Sequence, residues 1–162
     1  MKAAAVVVAL GIAGGLVAAV PASAGTVRDV THGDRLFNEA VGGALDADGL
    51  GGSAVVTAEP SDAASQGWIL HSAGNGAVQL ESAGWPGLCL EAPQSIGDPV
   101  GLAPCTADAS AQRWMLERVS GRHVIAEAAN PDYAVEAVAK GESMVKAWRD
   151  DNRRQLWDVT PA

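Results

Sequence analysis

Residues 88–114, LCLEAPQSIGDPVGLAPCTADASAQRW, hold the pattern that decides how the rest of the chain is read. Three pieces stand out in order: Cys89-Leu90-Glu91, then Val100-Gly101-Leu102-Ala103-Pro104-Cys105, then Gln112-Arg113-Trp114. Each has counterparts on either side. The Q-x-W tripeptide recurs as Gln66-Gly67-Trp68 and Gln155-Leu156-Trp157, at spacings of 46 and then 43 residues. Leu90-Glu91-Ala92 with Val100 is matched by Leu45-Asp46-Ala47 with Val55 and by Val135-Glu136-Ala137 with Val145, both every 45 residues without slippage. A third landmark precedes them in Arg35-Leu36-Phe37-Asn38, Val78-Gln79-Leu80-Glu81 and Val124-Ile125-Ala126-Glu127. Recurrence at a fixed period marks one supersecondary unit used repeatedly. Here one unit of about 45 residues carries about four short apolar pieces, and there are three such units.

The pieces read as strands. Apolar positions alternate with period two, as in Val100-Gly101-Leu102 and Val145-Lys146-Ala147. Turn formers such as Gly42-Gly43, Gly74-Asn75-Gly76, Pro86-Gly87, Gly97-Asp98-Pro99, Ser120-Gly121 and Asn130-Pro131-Asp132 separate them. These breakers exclude a helical solenoid. A β-propeller typically needs four or more blades, so an all-β fold of three units closing on themselves is expected.

Composition bounds the class further. At 162 residues one domain is expected, and 48% hydrophobic residues suffice for a single sizeable core. Eleven Lys and Arg against 19 Asp and Glu give a formal charge of -8, which argues against nucleic acid as a partner, because phosphate-backbone binding depends on clustered cations. Lys2, the apolar stretch from Ala3 to Val20 and the A-x-A of Ala22-Ser23-Ala24 read as a secretory signal peptide over residues 1–24. The alternative is an uncleaved anchor, since the stretch has about the minimum length to span a bilayer. Its Ala- and Gly-rich composition and the cleavage signal favour removal. The mature domain is then residues 25–162, with repeats at about 31–70, 71–116 and 117–160, secreted and acidic, with no membrane contact after cleavage. The abundance of Ala, Gly, Val, Asp and Arg points to a GC-rich bacterial genome. Outside the cytosol thiols tend to pair, and Cys89 and Cys105 allow one bridge, closing a 16-residue loop; on a chain-entropy argument such a loop is worth about 3 kcal/mol. A metal site is the weaker reading, because His32, His71 and His123 show no ligand-like spacing to the cysteines. No cofactor and no metal are expected.

The triplicated Q-x-W, the C-L-[DE] turn and the V-x-L-x-x-C strand resemble the ricin B-type lectin family of β-trefoil domains, and the resemblance covers Thr31 to Pro161. It implies a pseudo-threefold β-trefoil with Trp68, Trp114 and Trp157 packed at its core. It also implies a shallow sugar pocket on each lobe. The pocket uses an acid after the C-L pair, an amide and a stacking aromatic on the V-x-L strand, and the amide pair that ends in the Q-x-W glutamine. The chemistry suits a sugar, which has polar edges for hydrogen bonds and an apolar C–H face for a ring. Carried over by residue, the third repeat supplies Glu136, Lys146, Trp148, Arg154 and Gln155. The first offers Asp46, Val56, Ala58, Ser65 and Gln66, and the second Glu91, Gly101, Ala103, Ala111 and Gln112. Both lack the aromatic, so Asp46, Gln66, Glu91 and Gln112 are the weaker candidates. Alternation predicts that Lys146 and Trp148 face solvent if Val145 and Ala147 face the core. Lys146, Arg149, Arg153 and Arg154 predict a basic patch beside Trp148. Glu136, Lys146 and Arg154 could instead form only a surface ion-pair cluster, worth about 0 to 1 kcal/mol per pair. Trp85, in the Gly84-Trp85-Pro86-Gly87 turn, is expected to pack down.

No catalytic signature accompanies these residues: G-x-S-x-G, H-E-x-x-H and a Gly-rich phosphate loop do not occur. Asp46, Glu91 and Glu136 are threefold-related, too far apart for a glycosidase pair separated by about 5 to 10 Å. The expected function is therefore a secreted, monomeric, non-catalytic carbohydrate-binding module with one sugar site in the third repeat and a glycan or polysaccharide as partner. The alternative is a degenerate trefoil scaffold acting through protein contacts, such as a secreted inhibitor or surface-interaction protein.

Overall fold

The computed structural model describes residues 33–49 and 54–161. The expected signal peptide lies outside them. The described chain forms twelve strands, four per repeat. The first repeat holds β1 (Asp34–Asn38), β2 (Gly43–Gly49), β3 (Ala54–Ala58) and β4 (Trp68–Ser72). The second holds β5 (Val78–Ser82), β6 (Leu88–Glu91), β7 (Gly101–Pro104) and β8 (Trp114–Val119). The third holds β9 (Arg122–Glu127), β10 (Asn130–Glu136), β11 (Val145–Trp148) and β12 (Leu156–Pro161). All strand pairs are antiparallel, as short connections between consecutive strands require. At the tightest of these, Ser120-Gly121, both residues have positive φ, 50° and 87°. Such a two-residue turn matches the twist of the strands it joins.

The outer two strands of each repeat close a six-stranded barrel in the order β1, β4, β5, β8, β9, β12 and back to β1. Closure removes the unpaired edges that an open sheet would present. The inner strands form three hairpins, β2–β3, β6–β7 and β10–β11, that cap one end of the barrel. Residues at equivalent places in the repeats fill the core together: Leu36, Leu80 and Ile125; Leu45, Leu90 and Val135; Trp68, Trp114 and Trp157. The indoles are buried, so their N–H groups need internal acceptors. Trp68 Nε1 donates to Leu45 O at 3.0 Å, Trp114 Nε1 to Leu90 O at 3.0 Å and Trp157 Nε1 to Val135 O at 3.4 Å. Each Q-x-W tryptophan thus ties its repeat's last strand to its own second strand. The bridge Cys89–Cys105 joins β6 to the end of β7, as the two-cysteine count predicts.

The third repeat departs from the 45-residue period. Val55 and Val100 are fully buried at the centre of the three hairpins, but their partner is Met144 rather than Val145. Met144 N donates to Val55 O at 3.0 Å, and Val100 N donates to Met144 O at 2.8 Å. The pairing agrees. Asp46 faces Val56 and Glu91 faces Gly101, whereas Glu136 faces Val145, not Lys146. The cause is a loop one residue shorter: nine residues lead from Asp46 to Val55 and from Glu91 to Val100, but only eight from Glu136 to Met144. Because side chains alternate along a strand, a one-residue slip sends each to the opposite face.

Candidate functional site

The three Q-x-W glutamines are buried and do the same thing in every lobe. Gln66 Nε2 donates to Asp46 Oδ2 at 2.9 Å and to Glu59 O at 2.7 Å, while its Oε1 accepts from Ser61 N. Gln112 Nε2 donates to Glu91 Oε2 at 2.9 Å and to Pro104 O at 2.9 Å, and its Oε1 accepts from Thr106 N. Gln155 Nε2 donates to Glu136 Oε2 at 2.9 Å and to Trp148 O at 2.8 Å, and its Oε1 accepts from Asp150 N. Each glutamine spends both amide protons and its carbonyl holding the hairpin, the acid and the following loop together. Both donors of each buried amide are thereby committed within the protein. Gln66, Gln112 and Gln155, expected to contact sugar, each hold their lobe's acid in place.

The register slip reshapes the third lobe. Lys146, expected to face solvent, is 7% exposed. Its Nζ pairs with Glu127 Oε2 at 2.8 Å, donates to Pro93 O at 3.1 Å and lies 4.6 Å from the centroid of the Tyr133 ring. Its backbone also bonds Gly97 and Asp98 of the second repeat. Lys146 therefore occupies the inward position that Thr57 and Leu102 hold in the other lobes, and a charge placed there needs the carboxylate and carbonyl it has found. Trp148 follows it on the same face. Its indole stands 61% exposed at the strand end, with its centroid 4.8 Å from that of Tyr133 and the rings tilted by 56°. Glu136 lies on the other face of the hairpin. Its Oε2 accepts from Gln155 and from Asn152 Nδ2 at 3.0 Å. The structure thus brings Glu136 and Gln155 together, removes Lys146 from them and turns the Trp148 ring to a neighbour not foreseen, Tyr133.

The basic patch beside Trp148 is also corrected. Arg149 Nε bonds Asp151 Oδ1 at 2.8 Å and its Nη1 bonds Glu117 Oε2 at 2.6 Å. These two carboxylates, Asp151 first, hold the guanidinium more firmly protonated than usual. Arg154 Nη1 donates to Val138 O at 2.9 Å and Arg153 lies 3.8 Å from Glu39. Glu136, Lys146 and Arg154 do not pair with one another, so the ion-pair cluster is not formed either. Trp85, expected to pack down, is 36% exposed. Among the described residues no three His, Cys, Asp or Glu side chains converge as a metal site.

No family model and no curated protein sequence matches the chain. Solved structures do. A designed threefold-symmetric protein, ThreeFoil, superposes with a TM-score of 0.68 at 18% identity, over 80% of this chain and 98% of that one. A Macrolepiota procera ricin B-like lectin, solved in complex with lactose, gives 0.65 at 16% identity over 81% and 96%. A mosquitocidal holotoxin gives 0.71 at 17% identity, over 81% of this chain but only 16% of its own length. The chain folds as a β-trefoil. Likeness at these identities establishes the fold alone.

Within this β-trefoil the first two lobes keep the acid and lose the ring. Asp46 is buried, and Glu91 faces Gly101 with Ala103 beyond it, so the outer face of β7 bears no aromatic. Two residues of the third lobe escaped the sequence reading. Tyr133 is visible as the chain's one tyrosine, but its place opposite Trp148 depends on the slip. Asn152 supplies the amide expected of Arg154, two positions earlier; its Oδ1 accepts from Arg154 N at 2.7 Å, a local side-chain turn that the run Asp150-Asp151-Asn152 signals.

Proposed function

We propose that this β-trefoil is an exported, non-catalytic glycan-binding module that works through the Trp148–Tyr133 pair of the third lobe. One observation carries the reading: Trp148 is the most exposed large apolar side chain among the described residues, and it is braced by an aromatic neighbour rather than packed away. Two adjoining rings at the surface make a contiguous apolar patch, the kind of feature that marks binding sites. The C–H face of a sugar ring is a fitting cover. Asp132 and Arg149 adjoin the two rings in sequence, and their backbones are tied together, Arg149 N donating to Asp132 O at 2.8 Å, which holds the strand ends that carry the rings. Glu136, Asn152 and Gln155 support the platform's strand from behind instead of lining it. The lactose-bound relative lends weight to the ligand class.

Titration with mono- and oligosaccharides, followed by tryptophan fluorescence, tests this. A saturable change with a Kd between about 1 μM and 1 mM, weakened about tenfold or more by Trp148→Ala and by Tyr133→Ala, is expected for one shallow site. Unchanged binding in Trp148→Ala would contradict the assignment. The second reading, a scaffold acting through protein contacts, is favoured by the separation of Trp148 and Glu136 onto opposite faces of one hairpin. It predicts no response to any sugar and Trp148-dependent capture of a protein.

A further inference from the structure

A cleft of about 280 Å³ lies between the β4–β5 turn, the start of β8 and the β9–β10 turn. Its walls include Asn75, Ser110 and Arg113 on the polar side and Ala77, Met115 and Ala128 on the apolar side, with no carboxylate. On a chain with 19 acidic residues that omission is informative. Arg113, together with Arg118 and Arg154, also differs from the remaining cations of the described residues. Arg35, Arg122, Lys140, Lys146, Arg149 and Arg153 each have an acid partner. Arg113 has none: its Nη2 reaches only Gly74 O at 3.5 Å, and its buried Nε has no hydrogen-bond partner. Its Nε is buried while the Nη2 end stays open to water at the cleft, and the group that best matches such a fork is a carboxylate.

The cleft is built to hold a shape. Arg113 O accepts from Ala128 N at 2.9 Å, which locks the strand under the guanidinium to the β9–β10 turn. Opposite, Gly74, Asn75 and Gly76 all have positive φ, and the turn is closed by Ala77 N donating to Gly74 O at 2.9 Å and by Ala73 N donating to Ala77 O at 2.8 Å. The β8–β9 connection, at two residues, is too short to raise such a wall. The volume sits just below the range of about 300–1,000 Å³ usual for small-molecule sites, room for one ring and not two.

We infer that this cleft is a second ligand site, distinct from Trp148, for a small hydroxylated carboxylate of the hexuronic acid type. Arg113 takes the carboxylate, Ser110 and Asn75 meet hydroxyls, and Ala77, Met115 and Ala128 cover the C–H face. The inference does not depend on the Trp148 site. D-glucuronate is the probe, followed by the backbone amide shifts of Gly74, Asn75, Gly76 and Ala128 in two-dimensional NMR. Saturable shifts are expected with D-glucuronate and not with D-glucose or sulfate. They are lost in Arg113→Met, weakened about tenfold or more in Ala129→Phe, which fills the cleft from its rim and keeps the guanidinium, and retained in Trp148→Ala. If Arg113→Met fails to fold, Ala129→Phe decides. No saturable shift, equal shifts with sulfate, or shifts that survive both cleft variants would overturn the site.

Discussion

At the residue scale, the side chains that look most ligand-like turn out to be holding the fold. Replacing Gln112 with Ala strands Glu91 Oε2, Pro104 O and Thr106 N in a partly buried setting. Unmade buried bonds cost about 1–3 kcal/mol each, so Gln112→Ala should lose at least about 2 kcal/mol in urea unfolding, and Gln66→Ala should do the same although its lobe has no aromatic. Lys146→Ala leaves Glu127 without its cation and should cost about 3–5 kcal/mol, whereas the apolar double replacement Lys146→Met with Glu127→Leu should be neutral or stabilising. Glu81 supplies a pH signature. Its carboxylate accepts from Gly87 N at 2.7 Å, the chief cause of a pKa below the usual 4.5, with a smaller contribution from His71 and an opposing one from burial. A depressed pKa gives stability that is present above the unfolded value and is lost as pH falls through the folded one. Wild-type stability should therefore fall below about pH 4.5 more steeply than that of Glu81→Gln, measured by thermal melts across the acid range. The tryptophans' core role was legible because three of them obey one spacing rule. The fate of Lys146 was not, since no rule of composition reveals a loop one residue short.

At the element scale the β10–β11 hairpin decides the third lobe. Strand alternation holds, but the 45-residue period puts its phase at Val145, whereas phase is set by which residue meets the threefold axis. Met144 fills that place, with its backbone bonded to both Val55 and Val100. The contrast is measurable. Met144→Ala should cost about 2–5 kcal/mol as a core truncation, while Val145→Ala, at a half-buried position, should cost less than about 1 kcal/mol. The reverse order would restore the uninterrupted 45-residue register and return Lys146 and Trp148 to the face of Glu136. Elsewhere the element count was legible, because most turns carry a Gly, Pro or Asn signal and the landmarks of each repeat fall on its four strands or, as with Val100, directly before one.

At the scale of the whole molecule, three copies of one unit close a barrel and bury one core, and erosion of individual lobes leaves that core untouched. The repeats diverge where no core contact constrains them: a turn deepened between β4 and β5, a loop shortened between β10 and β11. Both divergences produce surface features that the threefold pattern does not contain, the Arg113 cleft and the Trp148–Tyr133 platform. Pseudo-symmetry was readable from the period, whereas what breaks the symmetry was not, because it arises from one-residue differences that only the folded pairing exposes. Glycan binding by the platform is tested on a glycan array probed in parallel with the wild-type protein and with Trp148→Ala. A restricted set of positive glycans is expected, with signals that all fall in the variant while its melting temperature stays near that of the wild type. Signals equal in both proteins, or none in either, would contradict it.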